Sequence, residues 1–212
     1  MSVITKMENK FSSESLDSLD KRKESIDQVV EMMKGYVQIE HSVAVISDLA
    51  EKKSYILSGN FRNFFEMDSS EYFTIDSIWE DDIYQRIQPD NLFDRHLLEL
   101  DFFNFLKTLK PEERLNYTTN CKIRAINSNK EYQHILHRNF YLKNSSQGGL
   151  WLAVCLYNYS YERPESFSGI DGKIINTKTG IFFPVGAYEN CIGLLSVREK
   201  EILNLISKGV IS

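Results

Sequence analysis

The stretch Leu150-Trp-Leu-Ala-Val-Cys-Leu156 is apolar on both of the faces that a strand presents. Alternate side chains of a strand point to opposite sides of its sheet. A run that is apolar at every position therefore describes a strand with structure packed over each face. An amphipathic helix over residues 21–36 is the natural cover for one face. Its Ile26, Val29, Val30 and Met33 fall at i, i+3, i+4 and i+7, and Gly35 stands near its end. Such a stripe usually faces its own domain. The same four residues are also the candidates for a dimer interface.

The rest of the sheet is read from alternation and turn residues. Ser42–Asp48 and Ser54–Ser58 form a hairpin around Glu51-Lys-Lys53. Thr118–Ile126 alternates, with Cys121, Ile123 and Ala125 on one side. Asn127–Lys130 turns the chain into a long strand from Glu131 to Lys143, and Asn144–Gly149 turns it into the 150–156 strand. Between the hairpin and these three strands lies a helical stretch at 60–67, with Phe61, Phe64 and Phe65 on one side. Short helical turns carrying Ile75, Ile78, Trp79 and Ile83 follow it. A long helix then opens at Pro89 and stops before Pro111, with Leu97, Leu98, Phe102 and Leu106 on its apolar face. Residues 1–20 are polar and Ser-rich and are expected to be a disordered lead-in. Residues 162–193 read as a linker, with 173–176 and 180–185 placed to pair as a small hairpin.

The expected fold is α+β: a five-stranded antiparallel sheet with helices on one face, plus an N-terminal and a C-terminal helix. This order of elements, over residues 37–161, resembles a PAS domain, and Ile87-Gln-Pro-Asp-Asn-Leu92 resembles the turn that precedes the long PAS helix. The resemblance implies a sensory or dimerisation role and a pocket between sheet and helices. Phe64, Phe65, Trp79, Leu97, Leu136 and Trp151 are the candidate pocket residues; each also reads as plain core. His96 reads as a packing or surface residue rather than a haem ligand, and no cofactor is expected.

At the C-terminus, Ser196 and Glu199 form a capping box ahead of an amphipathic helix that Gly209 ends. Leu195, Ser196, Arg198, Glu199, Glu201, Ile202, Leu203, Leu205, Ile206 and Gly209 resemble the first helix of a LuxR-type helix-turn-helix domain. In that family the recognition helix comes later and reads bases in the major groove. The chain ends at Ser212, before that helix, so it is expected to be a truncated regulator. DNA would be a partner of the full-length protein but not through these residues.

Other classes are less well supported. A net charge of −5 argues against a basic nucleic-acid surface. The three cysteines, Cys121, Cys155 and Cys191, have the spacing of neither a disulfide framework nor a zinc site. His134 and His137 are three apart on a strand and point to opposite faces, a poor metal pair, so no metal is expected. Neither a phosphate-binding glycine loop nor a GxSxG elbow is present, and no enzyme is expected. Without a signal-peptide core or a membrane span, the expected compartment is the cytoplasm. Two functions remain: a ligand-responsive sensor controlling a helix-turn-helix domain, and a ligand-free homodimerisation or protein-interaction module of the same regulator.

Overall fold

A computed structural model describes residues 2–12, 19–67, 70–145, 148–161 and 169–184. Its strands are β1 (Val43–Asp48), β2 (Lys53–Ser58), β3 (Tyr72–Ile75), β4 (Tyr117–Ile126), β5 (Tyr132–Asn144), β6 (Leu150–Tyr159), β7 (Lys173–Asn176) and β8 (Phe182–Pro184). Its helices are α1 (Val3–Ser12), α2 (Leu19–Glu40), α3 (Asp81–Tyr84), α4 (Pro89–Thr108) and α5 (Pro111–Arg114). No helix among the described residues is long and apolar enough to cross a membrane.

All eight strands join one antiparallel sheet in the order β3-β2-β1-β6-β5-β4-β7-β8. The two-faced apolar run lies in β6, between β1 and β5, and is buried from Leu150 through Asn158. The sheet has eight strands rather than the expected five. Tyr72–Ile75, read from sequence as part of a set of helical turns, is instead the strand that pairs with β2 at one edge. Tyr, Phe, Thr and Ile all favour strands, and the edge of β2 gives this short segment its partner. At the other edge β7 and β8 extend the sheet from β4, so part of the expected linker is sheet.

The sheet carries two separate cores. On one face Val43, Val45, Cys121, Ile123, Ile135, Cys155 and Tyr157 pack against Leu98, Phe102 and Leu106 of α4. On the other, Ala44, Ile46, Leu57, Trp151, Val154 and Leu156 pack against α2. The stripe Ile26, Val29, Val30 and Met33 is buried in this second core. A dimer interface through these four residues is therefore not available in this fold, because their own sheet occupies them. At the end of α2 the backbone approaches β2 so closely that a Cβ on Gly59 would lie 2.8 Å from the Val37 carbonyl oxygen. Arg138 Nη2 donates to Glu40 at 3.2 Å and fastens the same end of the helix to β5.

Val3–Ser12, expected to be disordered, is a helix. Polar composition hid the spacing of Met7 and Phe11, which at i and i+4 share one face and enter the first core. Burying two such side chains contributes about 1.5–3 kcal/mol each. That is enough to seat a short helix that would be marginal alone.

Replacing Met33 with Ala is expected to lower the unfolding free energy by about 2–4 kcal/mol, read from urea denaturation. Its sedimentation coefficient should match that of the wild type. A variant that instead changed its oligomeric state at unchanged stability would place this stripe against a second chain.

Candidate functional site

Helix α4 begins with Pro89 in its first turn and ends before Pro111, and between them it carries charge into the core. Arg95 is fully buried, and Glu99, one turn later on the same face, is 7% exposed. A buried guanidinium keeps its charge only where acceptors surround it. Arg95 Nη2 donates to Glu99 Oε1 at 2.9 Å and Arg95 Nε donates to His137 Nε2 at 3.2 Å. Glu80 Oε2 lies 3.6 Å from the guanidinium and accepts from the Tyr157 hydroxyl at 3.4 Å. The Tyr84 ring stacks on the group at 4.8 Å. Asn139 Nδ2 donates to Glu99 Oε1 at 3.0 Å. One charged side chain thus ties α4 to α3, β5 and β6.

The protonation states follow from this arrangement. A guanidinium can only donate, so Nε2 of His137 must accept and its proton sits on Nδ1. Nδ1 faces Cys121 Sγ at 3.6 Å. Burial and then Arg95 push the His137 pKa well below its ordinary value, consistent with a neutral ring. Burial works against the Arg95 charge, but Glu99 and the surrounding groups outweigh it and hold the guanidinium protonated. Burial raises Glu99, and Arg95 partly offsets that rise. Burial pushes the Cys121 thiol up to about 12 and the Cys155 thiol well above its usual range. Both sulfurs are therefore protonated, which suits packing and weak hydrogen bonding rather than nucleophilic attack.

Glu99, His137 and Cys155 bring ligand atoms within 4.8 Å of one another. The Arg95 side chain already sits among all three, with Nη2 also 3.5 Å from Cys155 Sγ. The cation these donors hold is the arginine, and a metal would have to evict it.

Two atoms of the cluster have no partner among the described residues: Arg95 Nη1 and Asn139 Oδ1. Both residues line a cavity of about 30 Å³ together with Ser47, Glu80 and Glu99. Met7 and Phe11 of α1 also line it, with the Phe11 ring edge-on to Phe103 at 5.2 Å. Trp79 and Glu80 form part of this cavity and also of an outer cleft of about 680 Å³, which Phe65, Phe73 and Ile75 line. The Trp79 indole donates to Glu8 of α1 at 3.2 Å.

The candidate residues from sequence divide across the molecule. Phe65 and Trp79 reach the outer cleft, and Trp79 also reaches the inner cavity. Phe64 is core, stacked on Phe61 at 5.0 Å. Leu97 is half-buried and lines neither cavity. Trp151 lies under α2, with its indole donating to Asp48 at 2.9 Å, so it cannot line a pocket on the α4 side. Leu136 alternates with His137 on β5 and faces away from α4. His96 is packed edge-on against Tyr84 and Trp79. Leu195, Ser196, Arg198, Glu199, Glu201, Ile202, Leu203, Ile206 and Gly209 lie outside the described residues.

Sequence reading missed Arg95, Glu99, His137 and Asn139. The signal was available in α4, where Arg95 and Glu99 share the helix face of Leu98, Phe102 and Leu106. A charged pair one turn apart inside an apolar face marks a buried ion pair.

No family model matches the chain, and no curated protein matches it. Among solved structures, a sensory box histidine kinase/response regulator from Burkholderia thailandensis E264 aligns with 84% of this chain and 96% of its own, at 13% identity and a TM-score of 0.38. A likeness that distant fixes neither fold nor function.

Arg95→Met is expected to cost about 3–5 kcal/mol, because it strands buried carboxyl groups. Adding Glu99→Leu should recover part of that loss in urea unfolding; a double variant that loses the sum of the two single-variant losses would show that the groups are not coupled. The pH dependence has a definite sign. Burial, with Arg95 second, holds His96 at about 3, below its unfolded value of 6.5. The unfolded chain therefore takes up the proton first, and stability falls as pH drops from 6.5 toward 3. At pH 5 the His96 contribution is a loss of about 2 kcal/mol. His96→Gln should lose correspondingly less between pH 7.5 and 5, and an equal loss would mean that His96 is charged in the fold.

Proposed function

We propose that this chain is the sensor part of a regulator, holding a small molecule at the buried polar site between α4 and the sheet. The observation that carries this reading is that Arg95 and Asn139 line one cavity and each keeps a buried polar atom, Nη1 and Oδ1, without a partner among the described residues. Buried polar groups call for a partner, and here the space beside the residues leaves room for one to be brought in. The outer cleft beside Trp79 has the volume of ordinary ligand sites. With its thiols protonated and His137 neutral, the cluster is set for recognition rather than turnover.

Output would run toward the C-terminal end of the sheet. His137 touches Cys121 on β4, the Lys122 amide donates to the Ile170 carbonyl at 2.7 Å, and β4 pairs with β7. A ligand that favours one arrangement of α4 against β4 and β5 would bias β7, β8 and whatever follows. By their resemblance to the first helix of a LuxR-type DNA-binding domain, residues 195–209 make a helix-turn-helix the natural recipient. The resemblance of residues 37–161 to a PAS domain supports the same division of labour, with DNA a partner of the whole regulator and a homodimer suited to paired half-sites. The interaction-module alternative loses its motive, since β6 and the α2 stripe are covered within one chain.

Native mass spectrometry of the purified chain, set against its denatured mass, tests the reading. A non-covalent surplus on each wild-type chain is expected, and its loss in Asn139→Leu would place the ligand at this site. A wild-type chain with no surplus, and with no thermal stabilisation across a metabolite library, would overturn the sensor reading.

A further inference from the structure

The inner cavity specifies what it takes more closely than its size suggests. Two of the residues that line it each carry an unpaired atom, one a donor, Arg95 Nη1, and one an acceptor, Asn139 Oδ1. A ligand that satisfies both must bring an acceptor and a donor of its own. Charge narrows the choice. The one guanidinium already faces two carboxyl groups, Glu99 at 2.9 Å and Glu80 at 3.6 Å. An added anion would meet the Glu80 and Glu99 carboxyl groups, and an added cation would meet the guanidinium. A carboxylate has no N–H or O–H to give Asn139 Oδ1, and an ammonium has no acceptor for Arg95 Nη1, so neither charged group satisfies the pair.

The roof of the cavity is also specific. At about 30 Å³ the space holds roughly one water. Met7 and Phe11, the buried hydrophobic side chains of α1, line it together with Leu49, Ile78, Trp79, Tyr84 and Tyr141. A ten-residue helix is too short to be stable without its seat. Its Phe11 ring sits between Phe103, at 5.2 Å, and Trp79, at 6.4 Å, next to the polar floor. If α1 lifts, the space left is ring-shaped, apolar at the sides and polar at the base.

We propose that α1 is a lid whose Phe11 stands in the place of a ligand ring, and that the ligand is a small uncharged molecule with a carbonyl beside an N–H, a carboxamide or ring amide. The carbonyl accepts from Arg95 Nη1 and the N–H donates to Asn139 Oδ1. Binding expels α1, so occupancy and the position of the N-terminal helix are linked. This rests on the sensor reading above and adds to it the ligand class and the gate.

Benzamide is the probe, with benzoate and benzylamine as charged molecules of the same shape. Calorimetry on the full chain and on Phe11→Ala gives affinity, and hydrogen exchange over residues 2–12 reports the lid. Benzamide should bind Phe11→Ala at least tenfold tighter than wild type, and at least tenfold tighter than either charged analogue. Adding Asn139→Leu should remove that gain. Saturating benzamide should raise exchange over residues 2–12 in the wild type severalfold. Should Phe11→Ala fold poorly, Glu8→Ala, which cuts the tie to Trp79 and leaves the seat intact, should still tighten benzamide binding. Equal or tighter binding of benzoate or benzylamine would overturn the ligand class. Unchanged exchange at saturation would overturn the lid. If no probe binds any variant while native mass spectra of the wild type carry a surplus, both parts fail and the sensor reading stands.

Discussion

A guanidinium with no exposed surface needs acceptors, and the α4 half of this molecule is organised around supplying them to Arg95 at Nε and Nη2. Glu99 comes from the same helix, Glu80 from the segment entering α3, and His137 from β5. None of these groups is stable in the core without the arginine, and the arginine is not stable without them. The network therefore fixes the height and rotation of α4 over the sheet more sharply than apolar packing alone. Leu98, Phe102 and Leu106 would tolerate small slides, whereas the hydrogen bonds from Arg95 to His137 at 3.2 Å and from Asn139 to Glu99 at 3.0 Å would not.

The opposite face has a different character. Under α2 the contacts are largely aliphatic, with polar ties at the margins: Asp48 accepting from Trp151, and Glu40 from Arg138. One face is thus a plain structural core and the other a polar chamber, and β6 separates them. Side chains at 152, 154 and 156 serve the first, and those at 153, 155 and 157 serve the second. A perturbation in the chamber reaches the α2 side only through the backbone of the central strands.

Much of the fold was legible in the sequence because it is written in periodicities. The unbroken apolar run at 150–156 identified the central strand, and the 26-29-30-33 stripe identified the helix that covers it. What was not legible depends on partners distant in sequence. Tyr72–Ile75 is a strand because β2 offers an edge, and α1 is a helix because Trp79 and Phe103 offer its Phe11 a seat. The site was the least legible part. Trp151 and Leu136 are as hydrophobic as true pocket residues but face the other way, and alternation fixes sidedness only once the cover of each face is known. His137 acts as a single buried acceptor for Arg95, a role that its spacing from His134 does not signal.

The chamber also constrains how such a protein can diversify. Arg95, Glu80 and Glu99 form a set in which changing one member alone strands the others, so a lineage crosses that ground only by compensated, multiple steps. Asn139, Ser47 and the inner face of α1 border the same cavity without carrying the ion pair. Among related chains, the charged triplet should behave as a frozen module inherited intact. Variation in what is recognised should accumulate in the first dozen residues and at single polar positions of the floor. The part of the sequence that looks most like a dispensable leader would then be the part on which specificity evolves.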